Sequence, residues 1–145
     1  MEIREIENAD LHGLLQLYTQ LHDNVMPTAE EQLQSLWEQI LQDKQHHIIV
    51  GVKNGKIVTS CVVVIILNLT HEQRPYALIE NVITDSSCRN KGYASSVLNY
   101  AKELAQKEHC YKMMLLTGSN EEATLNFYRN SGYNSSDKTG FIQWL

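Results

Sequence analysis

Apolar residues recur along this chain with two different periods, and the change between them divides it. Residues 2–6 alternate and predict a first strand. Asn8 is placed to cap a helix with apolar positions Leu11, Leu14, Leu15, Tyr18 and Leu21. Pro27 interrupts the pattern. Thr28 and Glu31 then have capping-box spacing ahead of Leu33, Leu36, Trp37, Ile40 and Leu41, one face of a second helix. From residue 48 the pattern is that of strands. Apolar runs over 48–52 and 57–69 flank Asn54-Gly55, the strongest two-residue hairpin signal. A loop over 70–75 leads to a strand over 76–84. Ala94, Val97, Leu98, Ala101, Leu104 and Ala105 have helical spacing, with Lys102 and Lys107 toward the helix end, where cations suit the dipole. A strand over 111–116 follows. Ser119 and Glu122 predict a second capping box, opening a short helix that stops at Ser131-Gly132, and residues 141–144 predict a last strand.

The predicted order is β-α-α-β-β-β-α-β-α-β, an α/β chain. Consecutive strands joined by hairpins are antiparallel, whereas the later strand–helix–strand unit is a right-handed parallel crossover. A mixed sheet with helices on both faces follows. A doubly wound sheet does not, because the early strands lack crossover helices.

The chain's 145 residues fit one domain, 1–145. Twelve Lys and Arg against 17 Asp and Glu leave a formal charge of −5, which argues against nucleic acid or anionic membrane as a partner. The longest apolar run, Cys61 to Leu67, is far short of the 18 or so residues that span a bilayer. The mixed charge of the first residues does not resemble a leader peptide. Three cysteines, an odd number without metal spacing, suit reduced thiols in the cytoplasm. His46 and His47 are adjacent on a strand and point to opposite faces, so no metal is expected there.

The segment Cys88-Arg89-Asn90-Lys91-Gly92-Tyr93-Ala94 joins a strand to a helix. The first N–H groups of a helix lack internal partners and carry partial positive charge, so a pyrophosphate fits there. Gly92 removes a side chain where phosphate would approach, Ala94 keeps the next position small, and Arg89 and Lys91 add positive charge. Taken alone, these residues suit a solvated turn equally well. Arg89-x-x-Gly92-x-Ala94, however, matches the R/Q-x-x-G-x-G/A signature of the GNAT family of N-acetyltransferases, and the element order resembles that fold. The segment from Asn126 through Phe127-Tyr128 to Gly132-Tyr133 resembles the family's closing motif. A shorter likeness, in Ile79-Glu80-Asn81-Val82 and Cys110-Tyr111-Lys112, is to glucosamine-6-phosphate N-acetyltransferases.

The resemblance implies acetyl-coenzyme A as donor, its pantetheine arm paired along Val82, Ile83 and Thr84. Its pyrophosphate would lie on the turn of Arg89, Asn90, Lys91, Gly92, Tyr93, Ala94 and Ser95. Tyr128 is implied as the acid for the departing thiolate, and a backbone N–H near Val82 as the thioester's oxyanion donor. Glu80 interrupts an apolar run just before that strand end; a carboxylate is costly to bury there without a reason, which marks it as a candidate base, a cross-strand salt-bridged residue or a solvent-facing position beyond a bulge. Where many members carry Asn seven residues before this tyrosine, the chain has Glu121, so the pantetheine contact is shifted, remade by Asn120 or Asn126, or absent. The expected activity is acetyl transfer to the primary amine of a small molecule. Alternatives are a non-catalytic coenzyme A sensor of the same fold and a protein or peptide N-acetyltransferase. A homodimer is compatible with all three. An amino-sugar phosphate would need cations such as Arg74 and Lys112.

Overall fold

The computed structural model describes residues 1–22, 24–28 and 31–145. Five strands, β1 (Glu2–Glu5), β2 (His46–Lys53), β3 (Lys56–Ile66), β4 (Tyr76–Thr84) and β5 (Met113–Leu115), form one sheet in chain order. The first three pairings are antiparallel and β4–β5 is parallel; the hairpins predict β2–β3 and β3–β4, and the crossover predicts the last. Helices α1 (Leu11–Tyr18) and α2 (Glu31–Gln42) cover one face; α3 (Tyr93–Lys107) and α4 (Glu122–Asn130) cover the other.

Strand alternation divides the core between those faces. On β3, Val62 points to α1 and α2, while Cys61, Val63 and Ile65 point to α3. On β2, Ile48 and Val50 take the first side and Ile49 the second. Complete burial of a side chain such as Ile49 or Val63 contributes about 1.5–3 kcal/mol, which is why register is held firmly in these central strands. Asn54 and Gly55 turn the β2–β3 hairpin with φ of +51° and +74°, the left-handed pair that a type I′ turn requires.

Four local expectations need correction. Asn8 is not the cap of α1: it lies inside a short 3-10 turn, Asn8–Asp10, whose cap position is Glu7. Asp10 accepts from the Glu7 N–H at 2.7 Å and is gripped by Arg4 at 2.6 and 3.0 Å. Ser119 does not cap α4; its hydroxyl accepts from the Glu121 N–H at 3.2 Å, a turn ahead of the helix. The strand expected over 111–116 is confined to Met113–Leu115. The strand expected over 141–144 is absent: Asn134 turns the chain by accepting from the Ser136 and Asp137 N–H groups, and Phe141 and Trp144 are left 92% and 85% exposed. Apolar alternation makes a strand only where another strand offers an edge. The Thr28–Glu31 capping pattern spans residues 29 and 30, which lie outside the described residues.

Candidate active site

Two irregularities on β4 and beyond it build the site. The β3–β4 ladder pairs Val62 with Glu80 and Ser60 with Ile83. Asn81 and Val82 therefore stand opposite the single residue Cys61, a β-bulge, with Asn81 at φ +49°. On its other edge β4 pairs with β5 only from Ala77 to Ile79, ending at Leu115. From Glu80 to Thr84 that edge has no β5 partner among the described residues. An extended ligand arm could pair along it as an added strand would.

β4 ends at Thr84, and the turn that follows from Asp85 delivers the chain to α3. Asn90 and Gly92 are both left-handed, at φ +59° and +76°. Gly92 is the N-cap of α3, and the first helical bond runs from the Ser96 N–H to the Gly92 carbonyl at 3.1 Å. The N–H groups of Tyr93, Ala94 and Ser95 thus precede any intrahelical partner. A Cβ built on Gly92 meets nothing within 4 Å, so the space in front of the turn is open to a ligand. This turn and the open β4 edge fit a nucleotide with an extended thiol arm.

The structure gathers most of the expected donor residues but not through their side chains. Arg89 leans back toward the Thr84 carbonyl at 3.4 Å, and Lys91 donates to the Ser87 carbonyl at 2.9 Å. The Tyr93 hydroxyl accepts from Lys53 at 2.9 Å. Ile83 is buried and its carbonyl already accepts from Thr59 at 2.9 Å. Asn126 accepts from Arg129 at 2.9 Å, whereas Asn120 is exposed and makes no side-chain hydrogen bond among the described residues. The turn offers backbone N–H groups; its side chains brace it.

Glu80 is exposed beside the bulge, the solvent-facing alternative rather than a buried carboxylate. Its place is set by register: opposite residues of an antiparallel pair share a face, and Val62 packs toward α1 and α2. Tyr128 comes from α4 on the other face, half-buried against the core that contains Cys61, with its ring edge-on to Tyr133 at 6.1 Å. Burial, and secondarily the nearby Cys61, pushes its phenol above the ordinary range, so it holds its proton. Its hydroxyl makes no hydrogen bond among the described residues.

Tyr18, which the sequence pattern marks only as an apolar helix position, also reaches the bulge. Burial pushes its phenol up to about 12, against a smaller opposing pull from Ser60 and Asn81 beside it. Asp85, missed altogether, is 4% exposed and accepts from the Ser87 N–H at 3.0 Å, the Ser87 hydroxyl at 2.7 Å and Lys56 at 2.7 Å. An Asp two residues before a Ser is a turn signal that the sequence does carry. Lys56 and Ser87 hold this carboxylate well below the usual range. Its folded pKa is therefore below the unfolded value of about 3.9. The stabilisation is full above that value and is lost as pH falls through the folded pKa. Asp85→Asn should melt below the wild type at pH 7, with the gap closing as pH falls below about 4, followed by thermal unfolding.

Arg74 and Lys112 are committed elsewhere. Arg74 donates to the His109 and Cys110 carbonyls at 3.1 Å each, and Lys112 lies 4.9 Å from the Tyr76 ring centre. Tyr76 is four residues from Glu80, roughly 13 Å along a strand. A groove of about 810 Å³ between α3, β5, α4 and the C-terminal segment includes Tyr128 but neither Val82 nor Gly92, so it is distinct from the donor turn.

Residues 11–133 match the acetyltransferase (GNAT) family. The chain is 25% identical over 142 residues to a glucosamine 6-phosphate N-acetyltransferase of Trypanosoma brucei brucei, covering 95% of this chain and 92% of that one. Among solved structures it resembles a protein of Agrobacterium tumefaciens str. C58 assigned as an acetyltransferase, at 37% identity and TM-score 0.93 over the whole of both chains. It also resembles a transcriptional regulator from Bacillus halodurans C-125, at 25% identity and TM-score 0.83 over 99% of each. No helix among the described residues is long and apolar enough to cross a membrane.

Proposed function

The chain belongs to the GNAT acetyltransferase family, and from that premise we propose that it moves an acetyl group from acetyl-coenzyme A to the primary amine of a small molecule by direct attack. The observation that carries this is the β4 edge that β5 leaves unpaired beyond Ile79, which leads from the bulge to the turn that opens α3. The pantetheine arm would lie along that edge and the pyrophosphate on the N–H groups beyond Gly92.

An alkyl amine with a pKa near 10.4 must lose a proton before it attacks, at a cost of about 4–5 kcal/mol at pH 7. Glu80, on the α1–α2 face beside the bulge, accepts that proton directly or through a water. The Val82 N–H, at the bulge where Val82 has no register partner on β3, polarises the thioester carbonyl. Tyr128 donates to the sulfur from the opposite face as the carbon–sulfur bond breaks. Because its pKa is raised, full transfer from the phenol to a thiolate is uphill and comes late, if the thiolate does not leave as such. Tyr128→Phe should therefore lower turnover toward the small end of the general-acid range, about 10²-fold, with coenzyme A affinity nearly unchanged by calorimetry.

The relative named for glucosamine 6-phosphate makes that amine the first acceptor to try. The likeness to a transcriptional regulator favours a second reading, a coenzyme A-binding module without turnover. A screen of amines with acetyl-coenzyme A separates them: amine-dependent release of free thiol supports the enzyme, and donor binding with no release from any amine supports the module.

A further inference from the structure

Gln20, at the exit of α1, makes two contacts that tie that helix to the donor turn. Its side-chain carbonyl accepts from the Ser86 N–H at 2.9 Å, and its amide donates toward the Asp85 carboxylate at 3.4 Å. Asp85 in turn holds Ser87, and its own carbonyl accepts from the Cys88 N–H at 2.7 Å, closing the 3-10 turn Ser86–Cys88 that leads to Gly92. Two residues before Gln20, Tyr18 packs against the core cluster that includes Val62 and Ile83, the residues on either side of the bulge. One short stretch of chain therefore packs near the bulge and clasps the turn, the two contacts with the turn spanning 65 and 66 residues of sequence. Ile83 and Thr84 join the bulge to Asp85 within the ladder, and beyond that strand end the clasp on Asp85 and Ser86 bears on how the turn leaves β4.

We propose that Gln20 is a positioning residue that sets the spacing between the β4 bulge and the donor turn, so that one ligand engages both. This rests on the proposed placement of coenzyme A along that path. A donor bound at two places gains from the second only if the span matches. Gln20 is exposed and touches the turn through its flank, away from the N–H groups of Tyr93, Ala94 and Ser95. Losing the clasp should leave each half of the path able to bind its own fragment, while weakening the molecule that must span both. A residue that merely stabilises the fold would not separate the two.

The test uses Gln20→Ala in the full chain, with coenzyme A and 3′,5′-ADP as calorimetric probes. Coenzyme A spans the path, whereas 3′,5′-ADP has no pantetheine arm to lay on β4. Coenzyme A affinity should fall about three- to tenfold, the range one or two net hydrogen bonds represent, with 3′,5′-ADP affinity unchanged. Asp85→Asn, which keeps the shape but disturbs the same clasp, should show the same selectivity. Equal losses for both probes, or no loss for either, would overturn the spacing role. A wild-type protein that binds neither probe would instead overturn the donor placement itself, and the proposal with it.

Discussion

Gly92→Val is expected to reduce coenzyme A affinity by at least about a hundredfold while the chain still folds. Two charge-assisted hydrogen bonds from the turn's N–H groups to a pyrophosphate represent about 3–6 kcal/mol, and a branched side chain in front of them removes both. In the free protein the new Cβ meets nothing within 4 Å, so the steric conflict is with the ligand. The variant carries a second cost, because Gly92 sits at φ +76° and a β-branched residue is strained there by about 1–2 kcal/mol. Gly92→Asn separates the two. Asn tolerates the left-handed region, so its melting temperature should stay nearer the wild type while coenzyme A binding is still impaired. Calorimetry alongside thermal unfolding reads both quantities. Unchanged affinity in a folded Gly92→Val protein would remove the turn from the donor site.

Glu80→Gln should lower turnover at neutral pH by about 10²–10⁴-fold and recover partly at high pH. The amide is nearly isosteric and Glu80 is exposed, so neither stability nor donor binding should change. Recovery at high pH identifies a base, because more of the amine is then already neutral. If Glu80 only attracts the ammonium form, the Michaelis constant rises and the turnover number holds. A variant profile parallel to the wild type, offset only by weaker binding, would move the base elsewhere along the bulge.

How much of this was legible in the chain depends on the range of the interaction. Local signals carried through: β4 runs over the predicted residues, Asn54-Gly55 turns its hairpin, and the buried residues of α3 are all among its predicted apolar positions. The turn that opens α3 was visible because Gly92 and the helix start are neighbours in sequence. The cap at Asn8 failed where Arg4 and Asp10 formed a stronger bidentate pair nearby. The final strand failed because the edge that β5 offers at that end of the sheet is only three residues long. The bulge at Asn81–Val82 comes from the pairing of two strands, which no single segment displays. Asp85 is held by Lys56 and Gln20, 29 and 65 residues away, so its role was hidden until those segments met. Tyr18 was hidden differently: as a helix position it reads as packing, and only the fold carries its hydroxyl to Ser60 and Asn81.

The central claim, direct transfer of acetyl from coenzyme A to an amine, is tested most directly by a single-turnover experiment. Excess protein is mixed with acetyl-coenzyme A carrying an isotope-labelled acetyl group, with and without glucosamine 6-phosphate or the best amine from the screen. Protein and small molecules are then followed by mass spectrometry. With the amine present, label should pass to the amine as coenzyme A appears one-for-one, and the protein should remain unmodified throughout. Without amine the thioester should persist. Label accumulating on the protein before it reaches the amine would contradict direct attack, and a thioester that is bound yet never consumed with any amine would contradict the enzyme.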